Sequence, residues 1–64
     1  MLSRREKEIQ ELRQGIIDQS WKIIQEEGWQ SLSIRKIAEA INYSVPVIYK
    51  HFENKEAIVE YFSK

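Results

Sequence analysis

Apolar residues in the first part of the chain fall three and four apart: Ile9, Leu12, Ile16, Ile17, Trp21, Ile23 and Ile24. That spacing draws one stripe along one side of an α-helix and predicts a helix over about 4–27. Ser3-Arg4-Arg5-Glu6 opens it with the Ser-x-x-Glu pattern of a capping box, where hydroxyl and carboxylate each satisfy a free amide. Asp18 and Lys22 stand four apart with the acid first, the favourable order for a pair on the polar face. Gly15 inside the run costs roughly 1 kcal/mol relative to alanine, which the surrounding stripe outweighs. Gly28 is placed to end the helix in a left-handed conformation.

After Trp29-Gln30-Ser31-Leu32 the pattern resumes in shorter pieces. Ser33 is an N-cap for a second helix over 34–41, in which Ile34, Ile37, Ala38 and Ile41 share a face. Asn42, which accepts left-handed backbone better than most non-glycine residues, follows. Ser44 caps a third helix over about 45–51, with Pro46 in the first turn, where an amide has no intrahelical acceptor. Asn54 caps a fourth helix from Lys55 that carries Ile58, Val59, Tyr61 and Phe62. It is still helical in pattern at Lys64, so the chain reads as cut in mid-helix. The expected fold is all-α over 1–64: a three-helix bundle holding a helix-turn-helix, plus the start of a fourth helix.

Sixty-four residues bound the answer to one small domain, and 42% hydrophobic with 31% charged residues marks a globular chain. Absence of cysteine and a single histidine exclude disulfides and the usual zinc sites, so no metal and no cofactor are expected. No run approaches a membrane span and the N-terminus has no secretory apolar region, which points to a cytoplasmic protein without a membrane partner. Enzyme motifs are missing: no Gly-rich phosphate loop, no Gly-x-Ser-x-Gly, no His-Glu-x-x-His. A non-enzyme is expected.

The formal net charge is zero, but its distribution is uneven. Between residues 31 and 55, Arg35, Lys36, Lys50 and Lys55, with His51, face only Glu39 and Glu53. This is also the stretch of the helix-turn-helix, a motif whose second helix enters the DNA major groove. Ser33 and Ser44 put hydroxyls and free amides at helix N-termini, where phosphate binds. Ile48 and Phe52 suffice for the core side of the third helix, yet Val45, Pro46, Val47 and Tyr49 are apolar or aromatic too, which suggests a face meant for contact. Each feature has a plainer reading. Short helix pairs recur in bundles that never meet DNA. Both serines are first of all caps, and Lys50 and Lys55 fit a solvated surface. Val45 and Val47 also suit a protein interface, and Trp21, Trp29 and Phe62 suit core or subunit contacts. His51 has no neighbour that makes it a ligand or catalyst. A helical protein-interaction module without operator binding therefore stands as the alternative.

The run Ser31-Leu32-Ser33-Ile34-Arg35-Lys36-Ile37-Ala38 after Gly28, followed by Ser44-Val45-Pro46-Val47-Ile48-Tyr49-Lys50-His51-Phe52-Glu53-Asn54-Lys55, resembles the N-terminal DNA-binding domain of TetR-family transcriptional repressors. The Tyr-x-His-Phe with a lysine three residues on, and the Ile-Ala of the second helix, carry most of the likeness. The resemblance implies a homodimer reading a palindromic operator in double-stranded DNA, and a separate C-terminal domain that binds a small-molecule inducer. It implies phosphate contacts from Ser33, Ser44, Tyr49, His51 and Lys55. Base or groove contacts fall to Arg35, Lys36, Val45, Pro46, Val47 and Lys50. Asn42 stands where the family commonly has a turn glycine, and Val45 where a polar base reader is frequent.

Overall fold

The computed structural model describes residues 2–62. Its helices are α1 (Arg4–Glu27), α2 (Ile34–Ile41), α3 (Val45–Tyr49) and α4 (Lys55–Val59), with a single 3₁₀ turn at Trp29–Ser31 between α1 and α2. The described residues hold no strand, so the all-α expectation stands. At 1.5 Å per residue α1 is about 36 Å long, which sets the longest dimension of the molecule, 37 Å. Leu2 to Glu11 are exposed and burial begins at Leu12, so the first turns of α1 stand clear of the core.

One core joins all four helices. Ile16 and Ile23 of α1 meet Ile34, Ile37 and Ala38 of α2, Ile48 of α3, Ile58 of α4, and Leu32 and Phe52 from the connections. The stripe of α1 is narrower than its spacing predicts: Ile9 and Trp21 are exposed, each by 47%. Ser20 takes the buried place between Ile16 and Ile23, wholly enclosed, and its hydroxyl donates to the Ile16 carbonyl at 2.7 Å. A small side chain that satisfies its own polar atom on the preceding turn fits a close helix approach.

Local chemistry explains the boundaries. Ser3, Ser33 and Asn54 each accept the amide three residues on, from Glu6, Lys36 and Ala57. The reciprocal half of the capping box takes another form, because the Ser3 hydroxyl donates to the Glu6 carboxylate at 3.1 Å. Asp18 takes the Gln14 amide at 2.9 Å in place of the expected Lys22 pair. Gly28 has positive φ as expected, but its ψ of 160° is extended and not left-handed helical. That combination is nearly confined to glycine. It turns the chain into the 3₁₀ turn, which the apolar spacing does not reveal and which delivers Leu32 to the core.

Helix α3 ends at Tyr49, two residues before the sequence expectation. The Lys50 amide is shared between the Pro46 and Val47 carbonyls, and His51 bonds back only three residues, to Ile48 at 2.9 Å. This tighter winding swings Phe52 into the core, where it is 4% exposed. Helix α4 likewise gives way after Val59 to three-residue turns through Phe62. The expected continuation at Ser63 and Lys64 lies outside the described residues.

Candidate nucleic-acid interface

The turn between α2 and α3 is built by backbone chemistry. Asn42 adopts left-handed angles, φ 64° and ψ 40°. Its amide bonds Glu39 at 3.4 Å, and the Tyr43 amide reaches Ala38 at 2.9 Å. This six-to-one and five-to-two pair is a Schellman close, which satisfies the last carbonyls of α2 and reverses the chain within Asn42-Tyr43-Ser44. Helices α2 and α3 thus form the expected helix-turn-helix.

Ser44 departs from expectation: its side chain makes no cap. Pro46 has no amide to give, and the Val47 amide bonds the Ser44 carbonyl at 3.1 Å, so the hydroxyl has no donor to accept from. With five residues, α3 also has little dipole to offer an anion. Ser44 is exposed at the surface, with its hydroxyl making no cap on α3.

The other residues separate into two grooves flanking α3. One is lined by Ser33 and Arg35 from α2, Val45 and Tyr49 from α3, and Asn54 and Lys55 at the start of α4. The second, between α3 and the first half of α1, is lined by Arg5, Glu8 and Ile9 on one side and Tyr43, Val47, Lys50 and His51 on the other. Arg5 is the residue that sequence reading missed. It shares a face with Ile9 and Leu12, at i+4 and i+7, and Leu12 is where α1 begins to pack on the core, so that face carries Arg5 along the groove beside α3.

The cations differ in their engagements. Arg35 is 85% exposed by side chain and lies 3.4 Å from Glu39 one turn on, an exposed pair of little strength. Lys36 is ion-paired with Glu27 at the end of α1 and lines neither groove. Lys55 is half-buried, donating to the Leu32 carbonyl at 3.2 Å with its ammonium 4.4 Å from the centre of the Trp29 ring. Lys50 and Tyr49 are exposed, His51 is half-buried. Pro46 is exposed on the first turn of α3, while Val45 packs partly against the core. The apolar surface that α3 offers outward is therefore mainly Pro46 and the Tyr49 ring, with Val47 half-buried beside them.

Among the described residues no group of histidine, cysteine or acidic side chains is placed to hold a metal, and no helix is long and apolar enough to cross a membrane. The site is a short, largely apolar helix between two grooves that carry cations and hydroxyls, each with one acid, Glu56 in the first and Glu8 in the second.

Residues 16–62 match the family model described as bacterial regulatory proteins, tetR family. The chain is 36% identical over 45 residues to the tetracycline repressor protein class G of Vibrio anguillarum, covering 70% of this chain and 21% of that repressor. It is 31% identical over 48 residues to the class D repressor of Escherichia coli, covering 75% of this chain and 22% of that one. The class H repressor of Photobacterium damsela subsp. piscicida matches to the same extent. The chain thus spans about a fifth of the length of the curated relatives it matches. No solved structure matches it. The family model covers most of the chain, including the whole helix-turn-helix and both cation-bearing grooves apart from the start of α1, and on that basis the chain belongs to the tetR family of bacterial regulatory proteins.

Proposed function

We propose that this domain reads an operator in double-stranded DNA as part of a transcriptional repressor, with α3 in the major groove. The observation that carries the reading is the pair of grooves: Arg35, Tyr49 and Lys55 lie to one side of α3, and Arg5, Lys50 and His51 to the other. Two phosphate backbones border a major groove, and donors on both sides of one short helix suit that geometry. Ser33 adds a hydroxyl at the start of α2, the one helix of the unit with eight residues. Net charge zero sets a modest electrostatic contribution, so local placement of cations has to supply the attraction.

Base reading follows from what α3 offers. Val45, Pro46 and Val47 have no side-chain hydrogen-bonding group, and the apolar feature of the major groove is the thymine methyl. Hydrogen-bonded readout falls to Arg35, exposed beside α3 and long enough to span guanine O6 and N7, and to Lys50. Lys36, held by Glu27, contributes after releasing that pair. A homodimer on a palindromic site completes the reading, with a small-molecule inducer on a further domain. The support is that the relatives are tetracycline repressors by name and that most of their length lies outside the match.

A binding selection on random duplex DNA tests the proposal, repeated with Arg35→Ala and with uracil in place of thymine. The expected half-site has thymines opposite Pro46 and Val47 and one G·C pair whose preference falls by about 1–3 kcal/mol in the Arg35 variant. Indifference to both changes contradicts it.

A further inference from the structure

We infer that Trp29 is a positioning residue for DNA binding: its ring forms the floor on which Lys55 is held at the mouth of the groove beside α3. The inference rests on the DNA reading above and deepens it. Trp29 lies in the 3₁₀ turn, outside the helix-turn-helix, and is 38% exposed, so hydrophobic burial accounts for only part of its placement. Its indole face is occupied by the Lys55 ammonium at 4.4 Å, and the same ammonium donates to the Leu32 carbonyl at 3.2 Å. Three elements thereby converge on one cation: the turn after α1, the residue before the α2 cap, and the first residue of α4.

An ammonium has three donors. The Leu32 carbonyl takes one and the ring faces another side, which leaves donor capacity toward the groove shared with Ser33 and Tyr49. A lysine on a free four-carbon stem loses rotamer freedom when it settles on a phosphate. Here the ring and the carbonyl have already removed that freedom. The aromatic face also holds the charge by attraction to its quadrupole without consuming a hydrogen bond. Trp29 therefore acts through Lys55, with no contact of its own to DNA required.

The test titrates the 64-residue chain with sonicated mixed-sequence duplex DNA, with the Lys55 ε-methylene protons followed by NMR. In the free chain these protons are shifted upfield by the indole ring, and the shift persists when DNA is bound. Loss of the upfield shift on DNA addition overturns the inference, because Lys55 then leaves Trp29 to bind. In a second arm, Trp29→Leu weakens binding by roughly two- to fivefold at low salt, the range of an exposed cation–π contact. Trp29→Tyr, which keeps an aromatic face, restores most of it. In a Lys55→Ala background Trp29→Leu adds no further loss. An equal loss with and without Lys55 shows that Trp29 acts only on the fold and overturns the inference while the DNA reading stands. Absence of salt-dependent binding by the unsubstituted chain sinks the DNA reading itself, and the inference with it.

Discussion

The Arg13 guanidinium of α1 lies over the Phe52 ring, 5.2 Å from its centre, at the point where the chain leaves α3. Tyr61 completes a three-layer cluster: its ring is 5.1 Å from the same guanidinium and meets Phe52 edge-on at 5.5 Å, and the Arg13 Nη2 group donates to the Tyr61 hydroxyl. One exposed arginine thus ties the long helix to both ends of the segment carrying α4. Arg13→Ala is expected to lower stability by about 1 kcal/mol, and the melting temperature by about 4–8 °C for a domain of this size. Arg13→Lys keeps part of the effect. Thermal unfolding followed by circular dichroism measures both.

Ser20, though buried, is expected to tolerate loss of its hydroxyl but not a larger side chain. Its hydroxyl bonds a carbonyl on its own helix and is wholly enclosed. Ser20→Ala removes the donor without leaving a stranded partner, since the Ile16 carbonyl keeps its helical amide, and is expected within about 0.5 kcal/mol of the parent. Ser20→Leu forces a large side chain into closed space and costs about 1–3 kcal/mol or more. Urea midpoints distinguish the two.

Backbone conformation separates Gly28 from Asn42. Gly28 sits at φ 90° and ψ 160°, and Asn42 at φ 64° and ψ 40°. Space is open around Gly28, so the cost of Gly28→Ala is conformational, about 1–3 kcal/mol. Asn42→Gly is neutral or stabilising, and Asn42→Ala loses about 1–2 kcal/mol through the left-handed preference. A loss within about 0.5 kcal/mol on alanine substitution at either site, measured by denaturant unfolding, would show that the backbone there relaxes.

Arg35 is partly neutralised by Glu39 at 3.4 Å. Glu39→Gln removes that acid from beside the groove, and affinity for duplex DNA is expected to rise by about two- to fivefold at low salt, with the gain shrinking as salt increases. Affinities across a salt series check this. A gain independent of salt contradicts the electrostatic origin.

Much of this architecture is legible in the sequence because it is written in local chemistry. The starts of α1, α2 and α4 follow from Ser3, Ser33 and Asn54, whose side chains cap in the structure as their spacing requires. Asn42 marks the turn for a reason internal to its own backbone. What the sequence hides is set by packing between distant segments. The early end of α3 depends on Phe52 reaching the core, and the choice of Glu27 as partner for Lys36 depends on how α1 crosses α2. Ser44 misleads because the Val47 amide that a cap would use bonds the Ser44 carbonyl instead, and Pro46 has none to offer. In the candidate interface the residue types are readable, but their division between two grooves, the addition of Arg5 and the hold of Trp29 on Lys55 need three dimensions.

The most direct measurement of the central claim is a titration of the isotope-labelled chain with duplex DNA, with every backbone amide followed by NMR. The account predicts that shifts concentrate at Ser33 to Lys36, Ser44 to His51 and Lys55, with Arg5 responding on the far side of α3. Trp21, exposed and packed at a tilt against Phe62 with ring centres 5.1 Å apart on another face of α1, stays silent. Shifts centred on Trp21 and Phe62, or none at all, would contradict the account and favour a helical interaction module.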